Sequence, residues 1–260
     1  VDTWDAGELY ERYMGRWSRR LAPTFLAWLE APPGARWLDV GCGTGALAAA
    51  VLGASHPALV VGIDPSEAFV AAARHGVPSA TFEVGDAELL PYRDRSFDVC
   101  VSGISLNFVP DPARALDEMR RVTAPGGRIA AYVWDYAHGM EMLRAFWDAA
   151  VALDPAAAGL DEASRFPLCA EVALASAFRD AGLVEVEGRT LRIETRFASF
   201  DEYWAPFLGG QGPAPSYVAS LPPARRADLE ARLRARIVAG AGGEITMSAR
   251  AWAAQGRVPA

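Results

Sequence analysis

Three glycines alternate in the stretch Asp39-Val40-Gly41-Cys42-Gly43-Thr44-Gly45. Glycine has no Cβ, so such a turn reaches positive φ and lets a ligand lie against bare backbone. Residues 37–40 read as a short buried strand. Residues 46–52, an Ala/Leu run, read as a helix of high propensity. That helix would point its free N–H groups at the same ligand. Strand, glycine turn and helix together open a nucleotide-binding α/β sheet. Two ligand classes use such a turn. Gly41-x-Gly43-x-x-Ala46 fits the dinucleotide fingerprint. Asp39, two residues before the first glycine, favours the other class: it would repel a pyrophosphate and attract a cation.

The elements that must position this turn follow in order. An amphipathic helix is expected over 4–13, with Trp4, Leu9, Tyr10 and Tyr13 apolar. Ser18 is expected to cap a second helix reaching about residue 30. Strands are expected at 58–63, 80–84, 97–102 and 128–134. A helix lies between the first two at 66–75. Another follows Asp111-Pro112, an N-cap with Pro at N1. Strand–helix alternation of this kind argues a parallel sheet covered on both faces. Beyond Trp134 the pattern changes. Helices are expected at 138–153, 171–180 and 223–238, and strands at 183–197 and 245–252. A loop is expected at 154–168, an aromatic-rich stretch at 200–208 and a Gly/Pro loop at 209–213.

Composition narrows the functions. The 260 residues suit one domain with an elaborated cap, or a domain and a half, and 52% hydrophobic content supplies a sizeable core. No apolar run reaches the ~18 residues of a membrane span. The N-terminal Val-Asp-Thr-Trp-Asp lacks a basic region followed by an apolar one, so no signal peptide is expected. All 25 Lys+Arg are arginine. That excludes a Schiff-base lysine, a pyridoxal phosphate site and a P-loop lysine. A net charge of −7 disfavours nucleic acid as partner. The basic run 225–236 contains Asp228 and Glu230, and reads as a solvated helix face. Cys42, Cys100 and Cys169 match no zinc or redox spacing; reduced thiols in the cytoplasm are expected. His56, His75 and His138 stand apart, with no metal site in view.

Five segments in sequence resemble the class I S-adenosylmethionine (SAM)-dependent methyltransferases, specifically the methyltransferase-11 or UbiE-like group. Leu38-Asp39-Val40-Gly41-Cys42-Gly43-Thr44-Gly45 matches its first motif. Gly62-Ile63-Asp64-Pro65-Ser66 matches the second strand, and Gly85-Asp86-Ala87-Glu88-Leu89-Leu90-Pro91 the third. Ser96 to Ser102 matches the fourth strand, and Pro125-Gly126-Gly127 precedes the fifth. The likeness covers roughly residues 10–135. It implies a Rossmann-like, seven-stranded, mostly parallel sheet with helices on both faces, an antiparallel last strand and a helical lid. The expected divisions are an N-terminal helical cap (1–34), a SAM-binding core (35–135) and the rest of the sheet (136–260), with a lid insertion at about 198–243.

The same resemblance implies a site. Asp64, about 20 residues past the glycines, would accept the ribose hydroxyls. Asp86 would face the adenine amino group, with the Ala87 N–H on the ring and Pro65 and Leu89 on its two faces. Asp39, Gly43 and the carbonyls near Gly41 and Ser102 would hold the charged end. Tyr13 and Arg16 would close over the cofactor, Arg16 on its carboxylate. Asn107 and Phe108 would stand beside the transferable methyl. Tyr10, Trp17, Asn107, Trp134, Tyr136 and Trp204 are expected to wall an acceptor pocket. His138 is the candidate base, if the nucleophile needs one. The acceptor would be a small apolar or aromatic molecule. Three rival functions remain: an NAD-dependent oxidoreductase, a non-catalytic SAM-binding protein, and a SAM-dependent enzyme of other chemistry.

Overall fold

The structure, a computed structural model, describes residues 11–210 and 212–260. Trp4, Leu9 and Tyr10 lie outside the described residues.

Seven strands form one sheet in the order β3-β2-β1-β4-β5-β7-β6. They are β1 (Arg36–Val40), β2 (Leu59–Asp64), β3 (Thr81–Val84), β4 (Phe97–Gly103), β5 (Thr123–Trp134), β6 (Val184–Phe197) and β7 (Ile245–Arg257). The first five pair in parallel, and β7 runs antiparallel to both β5 and β6. Parallel strands buried on both faces need continuous apolar runs, and β4 and β5 have them. Chain order reverses between β1 and β4, and a ligand crevice opens outside the strand ends at such a reversal. The glycine turn leaves β1 at that point.

Local signals set the helices on this side. They are α1 (Arg16–Leu29), α2 (Ala46–Ala54), α3 (Glu67–Gly76) and α4 (Pro112–Val122). The Ser66 Oγ accepts from the Phe69 N–H at α3, and the Asp111 carboxylate accepts from the Arg114 N–H at α4. Each satisfies one of the free donors at its helix start. Helix α1 departs from expectation. A π-helical turn, Glu11–Gly15, runs directly into it. Ser18 is therefore inside a helix, its hydroxyl bonded back to the Met14 carbonyl at 3.3 Å. The continuing backbone overrides the capping preference of serine.

Past β5 come α5 (Glu141–Leu153), helical turns at Pro155–Leu160, Glu162–Arg165 and Pro167–Cys169, and α6 (Ala173–Asp180). Strands β6 and β7 then make a long hairpin. The last β5–β7 pair is Trp134 with Ala251, whereas β6 and β7 stay paired out to Phe197 with Ile245. Residues 245–250 thus overhang the parallel strands, by about 20 Å at the usual strand rise. The overhang carries α7 (Phe200–Trp204), a 3-10 turn Ala205–Leu208, α8 (Pro213–Ser220) and α9 (Pro223–Arg236) above the ligand edge of the sheet. Helix α8 falls where no helix is expected; Pro213, read as the end of a loop, sits at its first turn, a place proline favours. Strand β7 likewise continues to Arg257, because its C-terminal half is buried between β5 and β6.

Candidate functional site

A cavity of about 270 Å³ lies at the switch point. Its floor is the glycine turn. Its sides are the end of β2, Gly85–Ala87, and Gly103–Ser105 after β4. Tyr132, Trp134 and Tyr136 close the β5 side, and Met14 and Ser18 form the roof.

The turn is held by the neighbouring strands. The N–H groups of Gly41 and Cys42 both donate to the Ile63 carbonyl, at 2.8 and 3.0 Å. Gly41 has φ +70°. A Cβ there would meet the Ser105 Oγ at 2.2 Å, so only glycine fits. That hydroxyl donates to the Val40 carbonyl at 2.9 Å and pairs with the Ser102 hydroxyl at 2.7 Å. Gly43 has φ +52°, and a Cβ on it would meet no protein atom within 4 Å. It lines the cavity, so its bare backbone faces the open space. Ile104 carries φ +61°, a strained conformation for a β-branched residue. Its N–H is fixed on the Tyr132 carbonyl at 2.8 Å.

Two buried acids line this cavity. The Asp39 side chain is buried and neither carboxylate oxygen has a hydrogen-bond partner. Burial pushes its carboxyl up to about 7; the Ala48 N–H offsets part of this without closing a hydrogen bond, and the Asp64 charge adds to it. Asp64 is better supported. Oδ2 accepts from the Gly43 N–H and Oδ1 from the Ser66 N–H, each at 2.9 Å. Burial still raises its carboxyl above the usual range, against those two bonds. Cys42 lines the cavity as well. Burial, then the charges of Asp39 and Asp64, push its thiol up and leave it protonated and inert.

The third wall is anchored from α4. Asp86 lines the cavity, and its Oδ1 accepts from the Glu88 N–H at 2.9 Å. Arg121 donates to the Leu90 and Tyr92 carbonyls, and the Leu90 N–H donates to Glu118. This network keeps Asp86 and Ala87 at the cavity. Leu89 does not line it: the side chain is 69% exposed.

Of the expected site residues, Asp39, Gly41, Gly43, Asp64, Pro65, Asp86, Ala87, Trp134 and Tyr136 line the cavity, as does Phe108. Others do not. Ser102 is buried behind Ser105. Arg16 turns away to an ion pair with Glu202 at 2.7 Å and stacks over Trp17 and Phe197. Tyr13 packs edge-on against Phe207, and Trp17 against Phe197. Trp204 joins the same cluster through Phe207. The expected aromatic lid is thus packed into the main hydrophobic core, where Phe207 stacks flat on Phe146 of α5 with centroids 4.6 Å apart. No described residue of the insertion lines the cavity. Asn107 is buried beside the cavity wall, with both amide atoms unpaired. His138 is exposed and faces a separate groove, its N–H fixed on Asp135. The turn after β5 carries it to that groove, and it does not line the cavity.

Met14, Ser18, Ile104, Ser105 and Tyr132 were not foreseen. Ser105 had one signal: a glycine turn leaves room for a neighbouring side chain to press on it. Among the described residues, no His/Cys/Asp/Glu cluster suits a metal, and no helix is long and apolar enough to cross a membrane.

The sheet order and the glycine turn at its switch point define a Rossmann-like nucleotide-binding fold. Residues 38–131 match the methyltransferase-domain family Methyltransf_11. The match covers this segment of the chain, the part that carries the glycine turn and the strands around it. The chain is 35% identical over 127 residues to trans-aconitate 2-methyltransferase of Variovorax paradoxus, covering 49% of each chain. It is 36% identical over 123 residues to demethylmenaquinone methyltransferase of Renibacterium salmoninarum, covering 47% of this chain and 48% of that one. It thus spans about half the length of these curated relatives. The crystal structure of the YcgJ protein from Bacillus subtilis shares the fold, with a TM-score of 0.59 at 20% identity over 94% of this chain and 99% of that one.

Proposed function

We propose that the protein transfers the methyl group of SAM to a small apolar or aromatic acceptor. The observation that carries this reading is Asp39, a buried carboxylate without a partner on the wall of a cavity floored by bare glycine backbone. An unpaired buried charge is costly. A cationic ligand group removes that cost, whereas a pyrophosphate would add to it.

Each residue then has a role. Asp39 faces the ammonium end, and Gly43 lets the cofactor lie against the turn. Asp64 keeps lone pairs for ribose hydroxyls after accepting from Gly43 and Ser66. Asp86 and Ala87 face the adenine. Bound SAM supplies a methyl group already activated by its sulfonium. The protein's remaining task is to align the acceptor and exclude water. Tyr132, Trp134, Tyr136 and Phe108 give the apolar walls for this. The Trp134 indole N–H, buried and unpaired, offers one hydrogen bond to orient a polar acceptor atom. Catalysis by alignment fits this cavity better than a base at His138. The buried, free thiols of Cys42, Cys100 and Cys169 favour a reducing compartment such as the cytoplasm.

Calorimetry with SAM, S-adenosylhomocysteine and NAD tests the cofactor. Binding of the first two and not NAD is expected; the reverse defeats the reading. A screen of small acceptors with methyl-labelled SAM then tests transfer. SAM binding without transfer to any acceptor class would point to a regulatory SAM-binding protein.

A further inference from the structure

A second groove, of about 370 Å³, lies beyond Tyr136. Tyr136 lines both it and the SAM-type cavity. Phe166, on the groove side, packs against Tyr136 at 5.7 Å and against Phe108 of the cavity at 4.9 Å. Tyr136 therefore stands between the two spaces, with Phe166 and Phe108 packed beside it.

The floor of the groove breaks a rule of sheet pairing. Arg192 of β6 and Arg250 of β7 are direct cross-strand partners, as are Thr190 and Trp252. All four line the groove. Like charges directly opposite each other are destabilising. Asp135, buried beneath, answers only one of them: it accepts from Arg250 Nε at 2.6 Å. Arg250 also lies over the Trp252 ring, 4.8 Å from its centroid. Arg192 makes no ion pair or side-chain hydrogen bond among the described residues and stays exposed to the groove. Glu171, on the exposed rim, is the other carboxylate on the lining and pairs with neither arginine. The Trp252 indole N–H is a second unanswered donor; its side chain is 9% exposed and Nε1 has no partner.

A surplus guanidinium, a paired one and an orphaned indole N–H thus converge on a space walled by Tyr136, Phe166 and Trp252. One surplus charge suits a monoanion. A planar guanidinium fork suits a carboxylate in particular. The rings suit an aromatic body.

We propose that this groove binds the carboxylate of an aromatic acid, and that this acid is the methyl acceptor. Its carboxylate sits on Arg192 and Trp252, and its nucleophilic atom reaches past Tyr136 toward the cavity. The second half of the proposal rests on the methyl-transfer reading; the first does not.

Benzoate, with neutral benzamide as its isostere, is the probe. Isothermal titration should show benzoate binding and benzamide at least tenfold weaker. Arg192→Gln should weaken benzoate at least tenfold and Trp252→Phe several-fold, both with SAM affinity unchanged. Arg192 is exposed, so the variant folds; circular dichroism verifies it. Equal binding of benzoate and benzamide, or indifference to Arg192→Gln, overturns the site. In the transfer assay, hydroxy- and amino-substituted benzoates should outperform the matching benzamides, and Arg192→Gln should raise KM while sparing kcat. Equal use of acids and amides overturns the acceptor assignment. Failure of the methyl-transfer reading would show separately, as absence of SAM binding in the same titrations.

Discussion

The Gly43 N–H donates to Asp64 Oδ2 at 2.9 Å, so the glycine turn and the end of β2 are joined by the same carboxylate that lines the cavity. Asp64 thus shapes the turn as well as lining the cavity. Asp64→Ala should weaken SAM by about 1.5–3 kcal/mol, the worth of hydrogen bonds to a charged acceptor. Asp64→Asn, which keeps one acceptor oxygen, should lose less. Calorimetry decides; unchanged affinity in the alanine variant removes Asp64 from the site.

Asp39 makes binding depend on pH. Its carboxyl titrates at about 7 in the free protein. A cation bound beside it requires the ionised form. Affinity for SAM should therefore drop about tenfold between pH 8 and pH 6 from this group alone. Asp39→Asn should flatten that slope and bind SAM weakly throughout.

The same group has the opposite effect on the free fold. Its folded value lies above the unfolded one of about 3.9. Its stabilising contribution is complete below that pH and is lost as pH rises through about 7. Without ligand, Asp39→Asn should melt higher than wild type at pH 8.5, with the gain shrinking toward pH 5. A constant difference across that range would contradict the assignment.

Gly41→Ala places a Cβ 2.2 Å from the Ser105 hydroxyl at a φ of +70°. A cost of about 2–4 kcal/mol in urea unfolding is expected, from strain plus overlap. Adding Ser105→Gly removes the overlap and should return part of it. If the double variant is no better than the single, the contact does not set the turn.

The roof of the cavity is tied to the insertion by Arg16 and Glu202, whose side chains are 30% and 42% exposed. Ala198 N–H and Arg16, in that order, hold the Glu202 carboxyl below its usual range. A double-mutant cycle with Arg16→Ala and Glu202→Ala should give a coupling of only about 0.5–1 kcal/mol, because water screens the pair. Phe207→Ala, deep in the adjoining aromatic cluster, should cost about 3–5 kcal/mol.

The parallel half of the fold was readable because its determinants are local. A glycine turn, an acid at a strand end and Asp111-Pro112 act on their own neighbours. The roof was not readable for the opposite reason. Met14 and Ser18 reach the cavity only because a π turn continues into α1 and α1 packs on the sheet. Trp17 and Trp204 carry the right chemistry for a pocket wall, but composition does not say which face of a helix turns inward. Here they turn toward Phe197 and Phe207. His138 shows the same limit at a single residue: it follows β5 closely in the chain, and one bend after Trp134 sends it to the other groove.

The overhanging β6–β7 hairpin separates two inheritances within one chain. The cofactor apparatus is written into strands β1 to β4. The insertion at the hairpin tip packs its aromatic side chains on α5 and the start of the chain, and none of its described residues lines the cavity. Its exposed loops can thus change length without touching the glycine turn. A lineage with this architecture can change what shelters the reaction without relearning how to hold the nucleotide.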